Sequence, residues 1–255
     1  MFSCNNWVCL LFISQFQYKW DETEKNVSAR INCYSRMLLI PHILAQLSSA
    51  DKETFKSGVF KDIIEMGTKL KLSNQLIHFM LLREVVTNRN HSMWFGVNNT
   101  LIRFGLTEFK SITGLHCGDE GLSEAEQIED VDMVDVVGHD RCTNGQLEAL
   151  FDKEPEDSPF KLKMALIIFV EGVIASKDKK TMVNQQTINL VSNLDVFNAY
   201  PWGRHSFIQT KRFLQSCEAG KERPSGGYNI GGFPLALQVN SVYSVYHFFK
   251  FYSIY

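Results

Sequence analysis

Four residues carry the donor types of a zinc site: His116, Cys117, His139 and Cys142. Two imidazoles and two thiolates suit tetrahedral zinc. The spacing argues against it, because His116 and Cys117 are adjacent and adjacent side chains seldom converge on one ion. The alternative is a buried Cys117 and a His139 exposed on a loop. A second set, Cys217, His205 and Asp195, offers a thiol, a base and an orienting acid, but its spacing matches no signature of a thiol protease. Glu53, Glu65 and Glu84 stand alone, so no pair can divide acid and base roles. Gly226 to Gly232 reads GGYNIGG. It lacks the Lys-Ser/Thr of a phosphate-binding loop and reads as a flexible turn. No catalytic residue, metal or cofactor is assigned, and an enzyme is not expected.

The most unusual short string is Tyr200-Pro201-Trp202-Gly203-Arg204. Trp and Arg favour interfaces and base stacking. The competing reading is a helix-ending corner, with Trp202 in the core and Arg204 pairing a carboxylate or capping carbonyls. Arg204, Lys211, Arg212, Lys221 and Arg223 fall close together, interrupted by Glu218 and Glu222. Such clustering suits phosphate contacts and equally suits a solvated helix face. Trp202, Arg204, Lys211 and Arg212 are therefore the candidate interaction surface.

These residues need elements to hold them, and the chain contains helical patterns on either side of one short β pattern. Leu38, Leu39, Ile43, Leu44 and Leu47 repeat at helical spacing, with Pro41 tolerable only near a first turn. Asp51 to Lys56 follows a Ser48-Ser49 cap signal, and Phe60, Ile63 and Ile64 form an apolar face ended by Gly67. Ser73 reads as an N-cap for the stripe Leu76, Ile77, Met80, Leu81 and Val85. Met93 to Val97 and Leu101 to Phe104 flank Asn98-Asn99-Thr100, which predicts a β-hairpin near 93–104. Thr107 should cap a short helix ending at Gly114. Residues 118–140 contain no Lys or Arg and read as an acidic loop. Ser158-Pro159 opens a helix to about residue 175, apolar all round and so central. Thr187 to Tyr200 is helical in part, Pro201-Trp202-Gly203 breaks it, and Ser206 to Cys217 forms another helix. Phe233 to Gln238 starts an apolar segment with Pro near its opening. The fold class is mainly α (α+β), a helical domain with one small β-hairpin.

With 45% hydrophobic and 21% charged residues, the chain is globular rather than disordered, and its 19 Phe predict an aromatic core. Charge is uneven. Residues 1–110 hold 13 Lys/Arg against 9 Asp/Glu, residues 111–152 hold 1 against 11, and residues 153–255 hold 12 against 8. The middle should repel nucleic acid and the flanks could accept it. Six cysteines without a CxxC read as reduced thiols. The triplets at Asn26, Asn90 and Asn98 would matter only in a secreted protein. The apolar run Trp7 to Ile13 is short and lacks a preceding basic residue, so it is not read as a secretory signal. No run approaches a membrane span.

Three stretches together carry a resemblance: Trp94-Phe95 through Phe109-Lys110-Ser111-Ile112-Thr113-Gly114-Leu115-His116-Cys117-Gly118; Asn193 through Tyr200-Pro201-Trp202-Gly203-Arg204-His205-Ser206-Phe207; and Gly232-Phe233-Pro234-Leu235-Ala236-Leu237-Gln238. In this order, with Ile31 to Ser35 before them, the chain resembles the plant domain of unknown function nineteen-eighty-five over residues 31–239. The hairpin-to-helix unit more loosely resembles the transposon-derived plant mobile domain. The resemblance implies a passenger of Mutator-like transposable elements, often preceding a ubiquitin-like protease domain of the SUMO-cleaving type. It supplies no activity, since no segment resembles that protease. Residues 1–30 are expected to be an extension outside the fold. Residues 240–255 form an atypical aromatic tail where the family usually continues with an aromatic-containing helix, which suggests a truncated continuation. The expectation is a non-enzymatic module binding a protein partner, with nucleic acid as the alternative and a fragment of a peptidase polyprotein as the third reading. It is expected to act in the nucleus, or else the cytoplasm, without a membrane.

Overall fold

The computed structural model describes residues 16–21, 29–67, 70–89, 91–98, 100–221 and 227–252, with backbone alone at 124 and 245–252. The expected motifs at Asn26, Asn90 and Arg223, and the run Trp7 to Ile13, lie outside the described residues. No described helix is long and apolar enough to cross a membrane.

The chain begins with β1 (Arg30–Cys33), then α1 (Leu39–Gln46), α2 (Ser49–Ser57), α3 (Lys61–Met66) and α4 (Asn74–Leu81). Local chemistry sets these boundaries. The Ser48 hydroxyl accepts from Asp51 N and the Ser73 hydroxyl from Leu76 N, each satisfying an orphan donor of a first turn. The hairpin follows: β2 (Ser92–Val97) runs antiparallel to β3 (Thr100–Gly105), in register from Ser92↔Gly105 to Val97↔Thr100. Its turn places Asn98 at φ 48°, a left-handed conformation that Asn tolerates.

Next comes α5 (Leu106–Thr113), which starts one residue before the expected Thr107 cap. The chain passes from strand to helix at Gly105, and Glu108 Oε2 accepts from Gly105 N at 2.9 Å. Gly114 at φ 69° then ends the helix in the left-handed region that favours glycine.

The acidic segment differs from the expected loop. It forms α6 (Leu122–Glu126) and α7 (Met133–Val137), with Met133, Val136 and Val137 buried. That short apolar stripe is hidden among carboxylates in the sequence. The segment is also tied down: Asn189 Nδ2 donates to Asp130 Oδ1 at 2.8 Å, and Gln185 Nε2 donates to the Val131 carbonyl at 2.8 Å.

The chain continues through α8 (Asn144–Phe151) into the central α9 (Lys161–Phe169), which runs on as a π-helical turn, Val170–Ile174. Every residue from Met164 to Ile174 is buried. It starts two residues after Pro159, whose turn is braced by the Ser158 hydroxyl accepting from Phe160 N. After it come α10 (Gln185–Ser192), α11 (Leu194–Ala199), α12 (Trp202–Ser216), β4 (Gly227–Ile230) and α13 (Leu235–Tyr252). Two Phe groups form much of the core: Phe60 with Phe169, Phe197 and Trp202, and Phe104 with Phe109 and Phe207.

Three placements were not expected. β1 pairs in parallel with β4, Arg30↔Gly227 to Cys33↔Ile230, so most of the glycine-rich string is a strand rather than a turn. Within residues 1–30, Trp20 is buried and its Nε1 donates to the Leu81 carbonyl at 3.1 Å, while Val86 N donates to the Gln17 carbonyl at 2.7 Å. Residues 240–252 continue α13, with Asn240 Nδ2 donating to the Arg103 carbonyl at 2.8 Å.

Candidate functional site

Pro201 precedes α12, so Trp202 and Gly203 open this helix and do not interrupt one. Trp202 is fully buried and is not a surface residue. Its ring lies against Phe197 at 4.9 Å and Tyr200 at 4.7 Å, and its Nε1 donates to the Phe197 carbonyl at 2.8 Å. An indole this well satisfied belongs to the core. Gly203 is there because another backbone passes close by. A Cβ on it would sit 2.5 Å from Cys117 Sγ and 2.6 Å from the His116 carbonyl, to which Gly203 N donates at 2.8 Å. Arg204 then closes the corner. Its Nε donates to the Gly118 carbonyl at 3.0 Å and its Nη2 meets Asp119 Oδ1 at 2.8 Å.

The chemical sets are not assembled. His116 Nε2 faces Glu120 Oε2 at 2.6 Å, and His139 Nε2 lies 3.5 Å from Glu154. Burial pushes the Cys117 thiol up to about 11, against the weaker opposing pull of Lys110 and Arg204, so it carries almost no thiolate at neutral pH. No cluster of three or more His, Cys, Asp or Glu among the described residues is placed to hold a metal. His205 and Cys217 are twelve positions apart along α12, about 18 Å at 1.5 Å per residue. Burial, with the charges of Lys177 and Arg212, pulls His205 down to about 4, and its Nδ1 lies 3.1 Å from the Tyr200 hydroxyl. Asp195 is exposed in the first turn of α11.

The basic residues do share a face. Arg204, Ile208 and Arg212 are spaced four apart and Lys211 lies three after Ile208 and seven after Arg204, which puts them on one stripe of a helix. With Ile208, His91 and Leu106 they line a depression of about 270 Å3. Burial pulls the Lys211 ammonium down, against the opposing charge of Glu84.

A larger groove, about 710 Å3, lies elsewhere and involves none of the candidate metal, catalytic or interaction-surface residues read from the sequence. Its apolar lining includes Met37, Leu38, Leu39, Leu70, Leu72 and Leu235. This volume is in the range of binding pockets. Leu38 is 74% exposed although the helical pattern had counted it with the core face. The rim is charged. Glu148 accepts from both Arg36 and Lys179, the latter at 2.8 Å, and Asp152 accepts from Gln46 and His42. Burial would raise the Glu148 carboxyl, but those two cations outweigh it and hold it low. The Gln46 hydrogen bond, followed by the His42 contact against a burial penalty, does the same for Asp152.

The π-helical turn fixes the groove wall. Ala175 N donates to the Val170 carbonyl five residues back, at 2.8 Å. The Gly172 and Val173 carbonyls accept instead from Arg36 N at 2.9 Å and the Ser35 hydroxyl at 2.8 Å. π-turns often mark functional sites, but no sequence pattern distinguishes VEGVI from an ordinary helix end.

The model of the family described as Domain of unknown function (DUF1985) matches residues 81–212, from the end of α4 into α12. No curated protein and no solved structure matches the chain. The match spans more than half of the 255 residues and includes the hairpin, the central helix and the Tyr200–Arg204 corner. By that extent, the chain belongs to the DUF1985 family, a domain of unknown function.

Proposed function

We propose that this domain is a protein-interaction module that receives an apolar segment of a partner in the groove beside the π-helical turn. The observation that carries the reading is Leu38, a large aliphatic side chain 74% exposed within a groove whose other leucines are half-buried, Leu70 and Leu72, or buried, Leu39 and Leu235. A lone exposed Leu is ordinary; one set in an apolar concavity with a rim of both charge signs has the layout of an interface, apolar centre and polar edge. In this reading the domain binds and does not catalyse. Its setting is the nucleus, in proteins of Mutator-like transposon origin associated with SUMO-type proteases, as its resemblance implies.

Selection of displayed random peptides on the full chain tests the reading. The selected peptides should carry clustered apolar or aromatic residues and should lose at least about tenfold in affinity for L38D, since a charge is then set against an apolar ligand. L38D should melt with the parent, because Leu38 contributes little burial. Peptides that bind L38D and the parent alike would refute the groove as the docking site.

A further inference from the structure

The basic face of α12 does not end at its own depression. A neighbouring one, about 460 Å3, shares His91 and Leu106 and adds Arg89, Arg103 and Glu108. Together the two are lined by five Lys or Arg side chains and a single carboxylate. Glu108 is itself engaged, accepting from Arg103 at 2.9 and 2.6 Å. Asp119 holds Arg204, and Glu84 acts on Lys211. Arg89 and Arg212 have no carboxylate partner among the described residues. Arg89 lies instead over the Trp94 ring, 5.8 Å from its centroid.

The cations are spread over two adjoining depressions rather than gathered in one. Arg204 and Arg212 are about 12 Å apart along the axis of α12, at 1.5 Å per residue, and the neighbouring depression, joined at His91 and Leu106, adds Arg89 and Arg103. Cations spread in this way answer a ligand whose own charge repeats. The track also offers apolar side chains at Leu106 and Ile208, with the Trp94 ring beside it beneath Arg89, surfaces of the kind on which sugars and bases rest. An acidic peptide would match the charges and leave those surfaces unused. A duplex presents its backbone on a broad convex face, whereas a single strand can follow a concave track.

We propose that this track binds the sugar–phosphate backbone of a single-stranded nucleic acid without sequence preference. The site is separate from the apolar groove, so either can fail without the other.

Fluorescence anisotropy of a labelled oligothymidylate of about 20 nucleotides, titrated with the full chain from about 50 to about 200 mM salt, tests it. Three to five phosphate contacts predict a log–log salt slope of about −2 to −3.5, at roughly −0.7 per contact on a single strand. The variant R89E/R212E should bind at least about tenfold more weakly with a shallower slope, and R212Q should fall between it and the parent. The variant K56E/K61E carries the same change in net charge on exposed residues of α2 and α3 and should stay within about twofold of the parent. Melting curves check that all three variants fold. Equal weakening in R89E/R212E and K56E/K61E would show diffuse attraction and overturn the track. Tighter binding of a duplex of the same length, displacement by polyglutamate as effective as by the oligonucleotide itself, or no binding at low salt would also overturn it.

Discussion

Replacing Gly203 by Ala should destabilise the protein, although the same change in most helices stabilises it. Intrinsic helix propensity favours Ala over Gly by up to about 1 kcal/mol. Here the added methyl would lie 2.5 Å from Cys117 Sγ, 2.6 Å from the His116 carbonyl and 2.9 Å from the Leu115 carbonyl. Two of these three neighbours are backbone and cannot rotate away. Overpacking of this kind costs about 1–3 kcal/mol. Relief requires α12 to back off, which stretches the bonds from Gly203 N and Arg204 N to the His116 carbonyl, each worth about 1 kcal/mol. The net expectation is a loss of about 2–4 kcal/mol, or a fall in Tm on the order of 5–15 °C for a chain of this size. Urea and thermal unfolding followed by circular dichroism measure it. Gly145, inside α8, is the internal contrast. A methyl there would have Lys179 as its nearest neighbour, no closer than 3.3 Å, so G145A should stay within about 1 kcal/mol of the parent. Adding C117A to G203A removes the sulfur overlap and leaves both carbonyls, so rescue should be partial. A G203A protein that melts at or above the parent would refute the close approach of α12 to residues 115–117, and with it the seating of Arg204.

Trp202→Ala should cost about 3–5 kcal/mol and Trp202→Phe about 1–2, since Phe keeps most of the ring but leaves the Phe197 carbonyl unpaired; near-neutral values in urea unfolding would return Trp202 to the surface. His205 is held at about 4 in the folded protein, below the usual 6.5 of the unfolded chain. The unfolded state therefore binds the extra proton between those values, so the stability that neutral His205 contributes is present above about pH 6.5 and lost as pH falls toward 4, about 2–3 kcal/mol in all; unfolding midpoints across that window should fall less steeply for His205→Gln, and parallel curves would refute the burial of the imidazole. Asn144 is buried, and neither atom of its side-chain amide has a hydrogen-bond partner among the described residues. Asn144→Leu should therefore raise the urea midpoint, removing a desolvation cost of about 1–3 kcal/mol; a lower midpoint would show that the amide has a partner such as bound water.

Much of the architecture was legible because local signals and tertiary demands agreed. Ser48 and Ser73 cap where expected, the Asn98 turn closes the hairpin, and the apolar run through Phe169 is the centre of the core. The β1–β4 pairing was not legible, because four-residue strands about 197 positions apart carry no local period. The order in residues 122–137 was masked by carboxylates on both sides of a three-residue stripe. The same division holds for the candidate sites. Arg204, Lys211 and Arg212 could be found from helical spacing, but Arg89 and Arg103 join them only through the fold. The apolar groove is assembled from residues near 36, 70, 148, 179 and 235, none unusual alone.

The short strings that look most distinctive are also those with least freedom to act. Trp202 is enclosed by rings, Gly203 by a passing backbone, and Arg204 is spent largely on the Cys117–Asp119 turn. Each is explained by packing before any ligand is invoked. The groove proposed to take a partner lies instead where a rigid element hands its unsatisfied groups to a neighbour. The end of the central helix is the clearest case. A helix leaves its last carbonyls without internal partners. Here the Gly172 and Val173 carbonyls are met by Arg36 N and the Ser35 hydroxyl, and the Arg36 guanidinium then reaches Glu148. One buried helix end thereby fixes the wall that presents Leu38. A rigid wall loses little entropy when a segment docks on it, so in the proposed reading the π-helical turn, itself buried, serves the groove from behind by holding Ser35 and Arg36 in place.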